Sequence, residues 1–181
     1  MVNALKQSFW KHFAASIDML KNAILLWPEE YWNNEKKFFY NAYHCLIFLD
    51  YYLTIPPKGF SSPLAFTLTN RDQIPKDAID DVVPDRIYTK KEMLDYLQSV
   101  RENLRKLLTG LTEEKLNNRW IDDSGPMYLE LSSSDALNYS VLDILFYNLR
   151  HVQHHAGQLN LLLRQKIDYA PDYVSMAEDD L

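Results

Sequence analysis

The stretch Asn148-Leu149-Arg150-His151-Val152-Gln153-His154-His155-Ala156-Gly157-Gln158-Leu159 holds three of the five histidines in a chain of 181 residues. It lies inside a longer segment whose stripe of Val141, Ile144, Leu145, Asn148, Val152, Leu159 and Leu162 has helical spacing. At about 100° per residue, His151 and His155 sit one turn apart and project from one face. Two imidazoles at i, i+4 can close on a single metal ion, the geometric reason zinc-binding helices carry paired histidines. His154 cannot share that face with both and reads as a neighbour, not a ligand. Two ligands leave a site incomplete, so a third must come from elsewhere, and only His12 and His44 remain.

His44 is the better candidate. Apolar residues at Phe38, Phe39, Ala42, Leu46, Leu49 and Leu53 predict a helix over 35–53, and the neighbours of His44 on it (Tyr40, Ile47, Phe48) are aromatic or apolar. A lone histidine there is ordinarily a satisfied core residue; a second histidine-rich helix in the same small chain favours a shared site. His12 falls at the margin of the stripe Leu5, Phe9, Phe13, Ile17, Leu20 and Ile24, on a helix expected over 3–26, and reads as a surface residue. Cys45 points about 100° away from His44 and reads as packed core.

The remaining segments connect or complete these helices. Five of the eight prolines fall between Thr54 and Tyr88 (Pro56, Pro57, Pro63, Pro75 and Pro84), which excludes a long helix there. This stretch reads either as a lid over a substrate or as a strap joining opposite ends of a bundle, with Leu64, Phe66 and Ile74 packing it down. Thr89-Lys90-Lys91-Glu92 is a capping box, followed by a helix using Met93, Leu94, Leu97, Val100, Leu104 and Leu107 or Leu108 and stopping at Gly110. Thr112 to Leu116 suits one further turn. Asp122, Asp123, Ser124, Gly125 and Pro126 mark an irregular stretch or hairpin over 118–133. Ser134 is expected to cap the last helix, about Asp135 to Gln165, in which Gly157 costs about 1 kcal/mol relative to alanine. A close helix contact, or room for a ligand beside His155, would account for it. The end of the chain, 168–181, with Glu178, Asp179 and Asp180, reads as a loosely attached acidic tail. The expectation is an all-α, single domain over 1–181: a four-helix bundle, antiparallel or crossover, with a long proline-rich connection between its second and third helices.

Composition narrows the function. With 19 basic against 25 acidic residues and no basic cluster, nucleic acid is not an expected partner. One cysteine rules out an internal disulfide and fits a cytoplasmic location, and no apolar run reaches the ~18 residues of a membrane span. Three histidines from two helices make an open metal site with room for water or substrate, for which Zn or Ni is suited. No inward Asp or Glu accompanies them, as a di-iron bundle would need. Tyr40, Tyr43, Asn148 and Gln158 are expected to brace the imidazoles from behind. No serine triad, phosphate-binding glycine loop or cysteine pair competes for the active site.

Tyr43-His44 within an aromatic helix and His151-x-x-x-His155-x-Gly157-Gln158-Leu159 resemble the motifs of the DinB/YfiT-like superfamily, bacterial four-helix proteins with a three-histidine metal site. The resemblance implies His44, His151 and His155 as the metal ligands. Relatives often carry Arg after the paired histidines, where this chain has Ala156, and the 54–88 connection is longer than the family's minimum. For function the resemblance implies a divalent-metal-dependent enzyme, in which an activated low-molecular-weight thiol, or water, attacks a small electrophilic substrate: a thiol S-transferase or a hydrolase. The alternative is a non-catalytic, stress-associated binding or dimerisation module with a structural or vestigial histidine cluster. Family habit points to a homodimer.

Overall fold

The computed structural model describes residues 2–121, 131 and 138–181. Four long helices form the body: α1 (Val2–Leu26), α3 (Lys36–Leu53), α4 (Lys90–Gly110) and α6 (Val141–Ile167). Two short helices, α2 (Glu29–Trp32) and α5 (Glu113–Asn117), sit in the connections. Among the described residues no helix is long and apolar enough to cross a membrane.

Cross-helix contacts fix the directions. Phe9 meets Phe146, and Ser16 bonds Gln153, so α1 and α6 run parallel. Asn41 pairs with His155 and Tyr52 meets Tyr147, so α3 runs antiparallel to α6. Lys6 reaches the Thr109 carbonyl while Arg101 reaches Asp18, so α4 opposes α1. It follows that α3 and α4, which also pack together, are parallel neighbours. Parallel neighbours cannot be joined by a tight turn, and the bundle is therefore of the crossover kind.

This geometry explains the long connection. The 18 residues of α3 span about 27 Å, which about eight extended residues could retrace. The surplus folds on itself. Strands β1 (Phe66–Leu68) and β2 (Val82–Pro84) form a small antiparallel hairpin with Thr67 opposite Val83. Leu64 and Val82 are buried against the body. The Tyr43 hydroxyl donates to the carbonyls of Leu64 (2.7 Å) and Ala65 (3.1 Å), and Tyr88 donates to Ala65 (2.8 Å). The strap is thus clamped over α3, which explains why α3 is apolar almost all round: bundle covers one side and strap the other.

Local chemistry sets the helix ends. Thr89 and Glu92 form the expected capping box, and Thr112 caps α5 by accepting from the Lys115 N–H. α4 ends through an extended Leu111, and Gly110 is its last helical residue without a left-handed turn. The expected cap Ser134 and its neighbour Asp135 lie outside the described residues, as does the 122–126 turn. α6 begins at Val141, capped by Ser140 with Asp143 at the third position. Ser-x-x-Asp satisfies the free N–H groups as Ser-x-x-Glu would. Two stripe positions also differ: Leu5 is exposed near the free end of α1, and Leu163, not Leu162, is fully buried, as expected from the drift of a 3.6-residue turn over a long helix.

Gly157 is exposed, and a Cβ built on it meets nothing within 4 Å. A close helix contact therefore does not account for it. Gly157→Ala is therefore expected to stabilise the protein by about 0.5–1 kcal/mol, measured by chemical denaturation. An unchanged or lower midpoint would contradict the open geometry.

The acidic tail is docked, not loose. The Ala177 N–H donates to the Lys11 carbonyl (2.9 Å), and Trp10 Nε1 donates to the Asp179 carbonyl (3.1 Å). Arg101 bonds both Asp179 carboxylate oxygens (2.8 and 2.9 Å) and also reaches Asp18. Lys11 pairs with Asp180 (2.8 Å), so two of the tail's acidic side chains meet basic partners on the helices, which composition alone does not reveal. Arg101 holds the Asp179 carboxyl down at about 2, below the unfolded value of about 4. A depressed folded value means that this contribution is whole above pH ~4 and is lost as pH falls toward ~2. The tail should detach across that window, seen in the Trp10 indole N–H resonance. Arg101→Gln should shrink the step and move it toward higher pH, with Arg105, which also pairs with Asp179, holding the remainder.

Candidate metal centre

Antiparallel packing of α3 on α6 brings His44 against the His151–His155 pair. The ring centroids lie 5.2 Å (His44–His151), 4.7 Å (His44–His155) and 4.5 Å (His151–His155) apart. One nitrogen from each ring lies within 4.8 Å of the other two, and the group could hold a metal ion. His44 Nε2 and His151 Nε2 are 3.2 Å apart. Two nitrogens each ~2.05 Å from one zinc at a tetrahedral angle are about 3.3 Å apart, so this pair already has the right spacing. At its widest the group needs to contract by about 1.5 Å to meet the same ion.

Burial keeps the two imidazoles on α6 neutral. His151 is pushed down to about 2 by desolvation, reinforced by His155 and His44; His155 is pushed to about 3, mainly by desolvation and then by His44. Neutral imidazole is the form that ligates, so no proton has to be displaced from a charged ring at neutral pH. The walls are aromatic: Phe48 lies 4.7 Å from His44 and Tyr52 5.9 Å from His151.

The groups behind the rings differ from the expected set. Tyr43 serves the strap, through Leu64 and Ala65. Asn148 donates to the Leu49 carbonyl (2.9 Å), tying α6 to α3 below the histidines. Tyr40 packs on Phe39 and makes no bond to a histidine among the described residues. Gln158 belongs to the network: it interacts with His155 and accepts from Asn41 Nδ2 (2.8 Å), and Asn41 Oδ1 lies 3.0 Å from His155 Nδ1. Thus Asn41 fixes the Nδ1–H tautomer of His155 and leaves Nε2 free. Its position three residues before His44, on the same helix face, is a signal the sequence contains. Asp80 had none. It arrives from the strap, with Oδ2 2.9 Å from His44 Nδ1. His151 Nδ1 is buried and makes no hydrogen bond among the described residues. His154 and His12 are exposed, and His154 bonds Gln158 (2.9 Å).

A cleft of about 510 Å³ opens beside the cluster, lined by Tyr147, Leu149, Arg150, His151, Gln153 and His154. His151 borders both the histidine group and the cleft, linking a buried donor set to solvent.

Residues 10–159 match the family model of the DinB superfamily. The match covers most of the chain and contains His44, His151 and His155. The chain belongs to the DinB superfamily. Comparisons with curated proteins and with solved structures return no match. In this DinB-superfamily chain the three-histidine group is assembled from the second and last bundle helices.

Proposed function

We propose that this DinB-superfamily protein is a divalent-metal-dependent enzyme, with His44, His151 and His155 holding the ion, Zn or Ni. The supporting observation is the convergence of three imidazoles, two from α6 and one from α3, beside a cleft that His151 also lines. When bound, the ion supplies Lewis-acid activation of a small thiol, or of water, toward a small electrophile. The chain's own residues do the rest. Asn41 holds the ligating tautomer of His155, and Phe48 and Tyr52 exclude water from the ring edges. Arg150, exposed at the cleft and in no ion pair with the described residues, offers a counter-charge to an acidic substrate or thiol. It lies six residues, nearly two turns, before the place where relatives often carry Arg and this chain has Ala156. The same reading places the protein in the cytoplasm as a homodimer.

A second reading, a non-catalytic module with a structural histidine cluster, is supported by the near-complete burial of His155. The two separate in one experiment. Metal-loaded protein is incubated with low-molecular-weight thiols and a panel of acidic and neutral electrophiles, following thiol loss, and with esters for hydrolysis. Turnover that fails without metal, and weakens for acidic substrates in Arg150→Gln, supports the enzyme. Metal binding with no turnover across the panel favours the structural cluster.

A further inference from the structure

The strap between α3 and α4 brings one carboxylate to the histidine group. Asp80 Oδ2 lies 2.9 Å from His44 Nδ1, a contact of ion-pair length whose angle falls short of a formed hydrogen bond. The other oxygen, Oδ1, accepts the Val82 N–H at 3.1 Å. Val82 is buried and paired with Leu68 in the hairpin, and the hairpin is held to α3 through Tyr43. The carboxylate is therefore aimed by folded backbone. Of the neighbouring acids, Asp85 is engaged elsewhere, accepting from Thr67 Oγ1 (2.8 Å).

We propose that Asp80 is a positioning residue for His44, which makes the 54–88 connection a working part of the metal centre. The inference rests on the three-histidine reading above. A carboxylate beside Nδ1 favours the Nδ1–H tautomer, directs the Nε2 lone pair toward His151, and raises the basicity of the ligand. Asp80 lies behind the donor atoms, so it leaves the open coordination positions free. By linkage, an ion that tightens His44 also tightens the strap that holds Asp80.

The test is zinc affinity by competition titration of untagged, metal-stripped full-length protein, with the melting midpoint of the metal-free form measured alongside. Asp80→Asn keeps an oxygen for the Val82 N–H but turns an N–H₂ toward Nδ1, which favours the wrong tautomer. It should weaken zinc binding about 10–100-fold, with the metal-free midpoint near wild type. Asp80→Ser also keeps an oxygen for Val82, lacks the carboxylate, and should lose comparable affinity. Asp81→Asn makes the same charge change one residue away and should stay within about twofold. Zinc should slow proteolysis within 54–88 in wild type and not in Asp80→Asn. Wild-type affinity in Asp80→Asn or Asp80→Ser, or an equal loss in Asp81→Asn, overturns the proposal while leaving the histidine site intact. Absence of zinc uptake by the wild type overturns both.

Discussion

His44→Ala and His155→Ala should each strip the metal, whereas wild-type protein purified without an affinity tag should carry about one equivalent of zinc or nickel. His44 is the sole contribution of α3 to the donor set, and its loss leaves a two-histidine pair on α6. Four-ligand zinc sites bind with roughly 10–16 kcal/mol, so one ligand contributes about 3 kcal/mol, on the order of a hundredfold in affinity. That loss carries a site out of retention through purification. His12→Ala, on an exposed position of α1, should keep its metal. Elemental analysis reads all four proteins. A metal-free wild type that reconstitution cannot load, with both variants folding unchanged, would reduce the cluster to core histidines.

Trp10→Ala should be the most damaging single change away from that cluster. Trp10 is fully buried, and the guanidinium groups of Arg101 and Arg105 lie 4.8 and 4.5 Å from its ring centroid. Its Nε1 donates to the Asp179 carbonyl, so the ring is also the platform on which the tail docks. Truncating a buried tryptophan costs about 3–5 kcal/mol, and in a chain of this size each kcal/mol moves the melting midpoint by about 2–4 °C. A fall of roughly 6–20 °C is expected. The tail should become protease-sensitive together with it. A variant that melts like wild type with its tail still protected would show that the ring supports neither.

The contrast between these two regions shows what a sequence makes legible. Apolar spacing at three and four residues placed α1, α3, α4 and α6 because one period governs both the pattern and the burial. The same period put His151 and His155 on one face. Asn41 was within reach of that reasoning, one turn from His44. Asp80 and the tail were not, since both depend on partners more than 35 positions away, with no periodic signal joining them. The strap was legible as non-helical and proline-rich, but its role as a crossover depended on α3 and α4 being parallel. That is a property of the assembled bundle.

By itself, then, the sequence determined the all-α class, the helix faces and the three histidines, because these follow from the repeat of one helix and the chemistry of its side chains. Only the tertiary structure decided the crossover, the docked tail and the placement of Asp80 behind His44. Each joins residues distant along the chain, and such contacts are set by how helices pack and by which charges the packing brings within reach.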